Sequence, residues 1–378
     1  MRIYLDHNAT TPPRPEVVET IEDALRGEFG NPSSVHAEGA AARRLVELAR
    51  ARVGGLLSLS PDTIRFTSGA TESNNTILQG QLEPGDHVVT TAVEHPSVSA
   101  PLAWQAGRGV EVTTLPADAD GCVAFEAVEA ALRPQTRLVS MIWANNETGA
   151  IQPVERTAAL CSDRGIPFHV DATQAIGKCE VDLASVPIDF VSASAHKLGG
   201  PKGVGALISR SPEALPPLLR GGGQERGLRG GTENVPGIAG FGCACEQVAS
   251  DGPESWEAWR KLRDRLWQGI QAGVEGARWN GDPERTLGNT LNVEFEGVAG
   301  EVLVQALDLE GVAVSAGAAC HSGSIEPSKV LLAMGRTPEQ ARGSLRFSVG
   351  HGIDEAAIDR VLTLLRELVP RVRAADAP

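Results

Sequence analysis

The chain has 378 residues, 42% of them hydrophobic and 22% charged, the makeup of a globular protein long enough for two packed domains. Its 34 basic and 48 acidic residues leave a net charge of -14, and only 4% of residues are aromatic. That balance argues against direct nucleic-acid binding, because it repels phosphates and offers few rings for base stacking.

No run of 18 apolar residues occurs, so no membrane span is expected, and residues 1–7 lack the apolar stretch of a secretory signal. Six cysteines, at 122, 161, 179, 243, 245 and 320, include no CxxC pair. A disulfide framework and the common zinc and thioredoxin motifs are therefore not expected, and a reducing cytoplasm is the natural setting.

Taken in order, Pro15 with Val17, Val18, Ile21 and Leu25 predicts a helix that stops at Gly27. A second helix is predicted over about 34–53, with Leu45, Val46, Leu48 and Ala49 on its apolar face. Short apolar runs at 63–66, 87–91, 110–115, 137–143, 168–170, 190–194 and 203–208 then alternate with helical patterns. This rhythm predicts an α/β fold with a mainly parallel sheet covered on both faces. Segment 215–234 carries Gly221-Gly222-Gly223, Gly227, Gly230 and Gly231 and reads as a loop, followed by a helix over 235–249. Asp251-Gly252-Pro253 reads as a boundary. Beyond it come a helix (256–270), a strand (287–295), a helix, a loop around Cys320, a strand (344–349) and a last helix, a smaller α+β unit.

The chain holds no GxGxxG, no P-loop lysine, no HExxH and no His/Cys cluster, which weighs against dinucleotide, nucleoside-triphosphate and metal chemistry. What remains is a series of polar clusters at strand ends, where α/β sheets place their ligands. Residues 68–75, Ser-Gly-Ala-Thr-Glu-Ser-Asn-Asn with Ala70 and Thr71, could cradle a phosphate at a helix N-terminus or form an ordinary capped turn. His95 in Glu94-His95-Pro96-Ser97 and Asn146 in Asn145-Asn146-Glu147 could equally be loop polarity. Asp171 and Gln174 follow a strand; a carboxylate there can cap a helix, or pair with a protonated pyridine nitrogen and make that ring an electron sink. Lys197, after Ser194-Ala195-His196, lies between a strand and a glycine turn; a lysine so held can form a Schiff base, although most lysines are solvated. Thr232 belongs to the glycine loop and Arg346 to a strand. Cys320 sits among Gly, Ser and Ala, a setting that suits an exposed nucleophile, while the other five cysteines read as packed hydrophobes.

Read in order, these motifs resemble the cysteine desulfurases, a branch of the fold-type I pyridoxal-phosphate enzymes. The resemblance starts at Tyr4-Leu5-Asp6-His7-Asn8-Ala9-Thr10-Thr11-Pro12, continues through Gly30-Asn31-Pro32-Ser33-Ser34-Val35-His36 and ends near Gly350. It implies a large cofactor domain over 15–250, and a small domain from 1–14 with 251–378 that carries the catalytic-cysteine loop at about 315–328. It implies that Lys197 holds the cofactor, Asp171 pairs with its pyridine nitrogen, Gln174 donates to its phenolic oxygen and His95 stacks on its ring. Thr71, Ser194 and His196 match phosphate-site positions, Ala70 is a further cofactor-binding position, and Thr232 matches a phosphate position supplied by the neighbouring subunit of a homodimer. Asn146 and Arg346 match the groups that bind the substrate carboxylate, and Cys320 matches the cysteine that becomes a persulfide. The activity implied is conversion of L-cysteine to L-alanine, with sulfur passed to an acceptor or scaffold protein for iron–sulfur cluster assembly or tRNA thiolation.

The pattern departs from the family at His321, where many members carry Thr, and at Ala195, where Ser or Gly is expected. Residues 319–322 with 221–226 are also similar to selenocysteine lyases, whereas 323–328 return to the desulfurase pattern. A selenocysteine lyase, an aminotransferase of the same fold or a non-catalytic platform are the alternatives.

Overall fold

A computed structural model describes residues 2–211, 215–316 and 326–375. The chain opens with β1 (Ile3–Tyr4), α1 (Pro15–Gly27) and α2 (Ala37–Leu56). Strands and helices then alternate: β2 (Ile64–Thr67), α3 (Ala70–Gln81), β3 (His87–Thr91), α4 (Pro96–Ala106), β4 (Glu111–Leu115), α5 (Phe125–Ala131), β5 (Thr136–Ile142), α6 (Val154–Arg164), β6 (Phe168–Asp171), β7 (Phe190–Ser194) and β8 (Gly205–Ser209). The C-terminal part holds α7 (Val235–Gly273), β9 (Ala277–Trp279), β10 (Thr290–Phe295), α8 (Gly300–Leu309), β11 (Val312–Ala313), α9 (Lys329–Ala333), α10 (Pro338–Arg342), β12 (Ser344–Ser348) and α11 (Glu355–Ala375). Among the described residues no helix is long and apolar enough to cross a membrane.

The expected α/β class holds. Seven strands form one sheet in the order β2-β8-β7-β6-β5-β3-β4. All neighbours run parallel except β8, which is antiparallel to both β2 and β7. The reason is length. A parallel crossover needs roughly a dozen residues or more, and the return from Ser194 to Gly205 closes at once, Ala195 N–H bonding to Val204 O at 3.2 Å. Ser194, Gly205 and Thr67 are register partners, so β2 and β7 end at one edge of the sheet.

One face of the sheet packs Phe66, Met141, Phe168 and Val191 against Val46 and Ala49 of α2 and Phe241 of α7. The opposite face packs Val88, Leu138 and Phe190 against Ile77 and Leu78 of α3 and Leu102 of α4. A separate core joins Leu291, Phe295 and Phe347 of the antiparallel sheet β12-β10-β9 to Leu266, Val361 and Leu365. Ile3 and Leu5 belong to that core because β1 pairs in parallel with β11.

Two details differ from the sequence expectation, and a third agrees with it. The second helix starts three residues later than expected, at Ala37, because His36 caps it, Nδ1 accepting from Gly39 N at 3.3 Å. The break expected at Asp251-Gly252-Pro253 is present: Gly252 (φ 59°, ψ -165°) is non-helical, and the two helical segments of α7 meet there with no linker between them. That conformation is open to glycine, and the proline behind it has no N–H to continue the ladder. The glycine loop is also anchored. Glu225 is buried and takes both guanidinium arms of Arg50 at 2.8 Å, plus Phe66 N–H at 2.8 Å.

Removing one partner of a buried ion pair leaves the other charge desolvated and alone, a cost of about 3–5 kcal/mol. Arg50→Met is therefore expected to lower stability by about that amount, read as the shift in the urea unfolding midpoint.

Candidate active site

The C-terminal edge of the large sheet gathers the residues that the sequence singled out. Lys197 lies just past β7 in a turn closed by Leu198 N–H and Gly200 N–H, both bonding to Ala195 O. Ala195 is fully buried, and a Cβ placed on Gly200 would come within 2.9 Å of its Cβ, which explains why only small residues fit this turn. The Lys197 amine donates to Asn8 O at 2.5 Å and Ala9 O at 2.8 Å. Desolvation first, and the Arg346 charge second, push it down to about 8, against the pull of Asp6 and Asp171. At neutral pH such an amine is uncharged in roughly one molecule in ten, far more than an ordinary lysine.

Asp171 ends β6 and is buried. Its Oδ1 accepts from Thr173 N–H at 3.0 Å and its Oδ2 from Asn74 Nδ2 at 2.8 Å. The same Asn74 nitrogen donates to Ser97 Oγ at 2.8 Å, and Ser97 Oγ lies 2.7 Å from His95 Nδ1. Ser97 N–H also donates to His95 Nδ1, at 3.1 Å. With Ser97 Oγ already accepting from Asn74, its own proton goes to His95 Nδ1, which places the ring proton on Nε2. His95, Ser97, Asn74 and Asp171 thus form one hydrogen-bonded chain, and the His95 ring is exposed at its open end.

Gln174 is buried; its Nε2 donates to Asn8 O at 2.9 Å and its Oε1 accepts from Lys178 Nζ. His196 Nδ1 stands 3.1 Å from Thr10 Oγ1, and burial plus the charges of Lys197, Lys202 and Lys178 push its ring down to about 4. Arg346, on β12, donates to Asn146 O at 2.9 Å and pairs with Asp6 at 2.5 Å, while its buried Nε has no hydrogen-bond partner among the described residues.

The first turn of α3 starts at Gly69, whose φ of 151° suits glycine, and leaves the N–H groups of Ala70 and Thr71 without intrahelical partners. Ala70 is buried and Thr71 exposed. Ser194 Oγ is 3.8 Å from where a Gly69 Cβ would stand, and a Cβ on Gly205 would come 2.7 Å from Gly69 Cα, so only glycine leaves this approach open. Glu72 in the same turn is neutralised by Arg229 at 2.9 Å; burial, which would raise its pKa, is outweighed by hydrogen bonds from Arg229 and Ser68 that hold it below the usual range. Thr232, three residues past Arg229, is exposed and stands outside this network among the described residues.

Cys320 and His321 lie outside the described residues. The positions bounding their segment are described. Ser315 exchanges backbone hydrogen bonds of 3.2 and 2.7 Å with Arg346, and Ser328 Oγ donates to Glu147 at 2.5 Å. Glu147 itself is pushed up to about 6 by desolvation, against the pull of Ser328 and Arg346. Burial pushes the Cys122 thiol up to about 11 and those of Cys161 and Cys179 to about 12, so they stay protonated.

Sequence reasoning gave no role to Asn8, Asn74, Ser97, Asp6, Glu147 or Lys178. Five of them sit inside polar runs that it marked, beside residues that it chose. Lys178 had a different signal, a single charge directly after the apolar Ala175-Ile176-Gly177.

The aminotransferase class-V family model matches residues 3–361. A cysteine desulfurase of Cereibacter sphaeroides is 47% identical over 99% of this chain and 97% of its own length. Cysteine desulfurase IscS of Methanosarcina thermophila is 42% identical over 98% of this chain and 93% of its own. This chain belongs to the cysteine desulfurases of the class-V aminotransferase family. Among solved structures, a NifS-like protein superposes with a TM-score of 0.92 at 37% identity, covering 98% of this chain and all of that one. SspA in complex with cysteine gives 0.81 at 34% identity, over 92% of this chain and 99% of that one.

The residues fit pyridoxal phosphate: an anion cradle at α3, a buried carboxylate and an amine pushed towards neutrality. The pH dependence of Lys197 follows from its pKa. Since only the free amine attacks an aldehyde, the rate at which cofactor-free protein forms a borohydride-reducible adduct should rise with pH, half-maximal near 8. Stopped-flow absorbance across pH 6–10 checks this, and a midpoint near the ordinary lysine value of about 10.4 would contradict it.

Proposed function

We propose that this chain is a pyridoxal-phosphate-dependent cysteine desulfurase that converts L-cysteine to L-alanine and takes up the sulfur on Cys320. The carbon–sulfur bond of cysteine breaks, a sulfur–sulfur bond to Cys320 forms, and the β-carbon gains a proton, so cysteine and thiol yield alanine and persulfide. The observation that carries the reading is the Lys197 amine, lowered to about 8, at the sheet edge where Asp171 and the α3 cradle also lie. When bound, the cofactor supplies the electron sink for the substrate's α-carbon.

The chain's own residues have these roles. Lys197 Nζ holds the cofactor aldehyde. Asp171, fixed by Asn74 and Thr173, pairs with the pyridine nitrogen. Gln174 Nε2 serves the phenolic oxygen, and His95 stacks on the ring with its proton on Nε2. Ala70 and Thr71 N–H groups, with Ser194 and His196, receive the phosphate. Arg346, whose Nε has no partner among the described residues, and Asn146 bind the substrate carboxylate. Cys320 belongs with them because the chain leaves for its segment beside Arg346 and is held again beside Glu147.

We read 15–250 as the cofactor domain and 1–14 with 251–378 as the smaller one, a division supported by the two separate cores. A homodimer, with Thr232 completing the neighbour's phosphate site, is supported by exposed apolar residues in and near the Gly30–His36 motif: Leu25 at 63%, Phe29 at 78% and Val35 at 98%. In the cytoplasm the persulfide would pass its sulfur to an acceptor or scaffold protein.

The decisive experiment is alanine release from L-cysteine by the purified holoprotein. Cys320→Ser should retain the cofactor band but form no persulfide, seen as loss of a +32 Da adduct by intact mass. Full alanine release by that variant would place sulfur transfer elsewhere. Arg346→Ala should raise KM for cysteine by at least about tenfold, as expected for losing one partner of a buried charge pair; an unchanged KM would remove Arg346 from the carboxylate site.

A further inference from the structure

Gln174 presents a primary amide whose two ends differ little in shape and very much in chemistry. Only the nitrogen can donate to a phenolic oxygen; the flipped amide would set oxygen against oxygen. Shape alone does not choose between these orientations, so something must hold the amide.

Lys178 is the group in contact with it. It is 5% exposed and its Nζ donates to two oxygens, Asn8 Oδ1 at 3.0 Å and Gln174 Oε1. Asn8 O constrains the other end, accepting from Gln174 Nε2 at 2.9 Å. A flip would turn an amide N–H towards the N–H groups of Lys178 and a carbonyl towards a carbonyl, losing two buried hydrogen bonds at once. Asn8 Oδ1 is itself fixed, because it also accepts from Asn289 Nδ2 at 3.1 Å. Burial, with Lys197 and Arg346 nearby, lowers the Lys178 pKa well below the usual value. Two acceptors face the amine, and it donates to both.

We propose that Lys178 is a positioning residue of the cofactor site: by occupying Gln174 Oε1 it leaves the Nε2 donor as the end of that amide presented to the cofactor's phenolic oxygen. The inference rests on the pyridoxal-phosphate reading of the site. No bond to the cofactor is assigned to Lys178.

The test is a double-mutant cycle on the holoprotein with Lys178→Met, Gln174→Ala and the double variant. The quantity read is the pH midpoint of the visible band of the lysine-bound cofactor. A donor to the phenolic oxygen weakens that oxygen's hold on the proton it shares with the Lys197 nitrogen, so losing the donor raises the midpoint. Each single variant should raise it by on the order of one pH unit, and the double variant should add nothing further. An unchanged midpoint in Lys178→Met overturns the proposal. So does a shift equally large with and without Gln174, because a charge effect acting directly on Lys197 would survive in the Gln174→Ala background. If Lys178→Met does not fold, Lys178→Gln goes through the same cycle with the same two outcomes. Failure of the cofactor reading looks different: wild-type protein given pyridoxal phosphate would show no visible band at all.

Discussion

Half of the sheet-edge network, the half that holds Lys197, Gln174 and Lys178, is referred to one side chain and its peptide, Asn8. Its carbonyl accepts from Lys197 and Gln174, its Oδ1 from Lys178 and Asn289, its Nδ2 donates to Thr290 Oγ1 and Asn146 O, and its N–H donates to Ser348 Oγ. It is 1% exposed, and each of these groups would pay the cost of an unmet buried hydrogen bond if Asn8 were displaced. Asn8 therefore sets the geometry of residues in the turns after β5, β6 and β7, and on β10 and β12. It can do so because β1 is held by its pairing with β11 and the Ile3 and Leu5 side chains are buried in the smaller core.

The sheet supplies the complementary constraint. The reversal of β8 lets the turn after β7 stay short, and a short turn keeps Lys197 at the edge where β6 delivers Asp171. On this edge the cations Lys178, Lys197 and Arg346 outweigh what Asp6 and Asp171 neutralise, and the N-terminus of α3 adds partial positive charge. Two of those cations are lysines pushed towards neutrality by burial. The site is thus poised for anions at two places, the α3 turn and the Arg346 fork, with a nucleophilic amine belonging to neither.

Much of this was legible in the sequence. The alternation of apolar runs gave the parallel sheet, because strands buried on both faces read as continuous apolar stretches. Lys197, Asp171, His95, Gln174 and Arg346 stood at strand ends or on a strand, where position alone made them candidates. What was not legible were contacts between distant parts of the chain. The chain Asp171–Asn74–Ser97–His95 joins three elements, and no local pattern says that Asn74 and Ser97 meet. The reversal of β8 had a signal that went unread: the strands at 190–194 and 203–208 are too close in sequence for a parallel crossover. The break at Gly252 was legible too, and the segment before it packs into one core through Phe241 and Val248 while the segment after it packs into the other through Leu266 and Ile270.

The cysteines show how packing narrows chemistry that composition leaves open. Six thiols are present in the chain, and reactivity belongs to the thiolate. Cys122, Cys161, Cys243 and Cys245 are buried and Cys179 is largely so. Burial raises the thiol pKa of four of these five, which withholds the reactive form at neutral pH as well as blocking approach. Hydrophobic burial, which stabilises the cores, is thus what removes these five as sulfur carriers. Residue 320 lies outside the described residues, and Ser315 and Ser328, on either side of its segment, are tied to Arg346 and Glu147 of the proposed site.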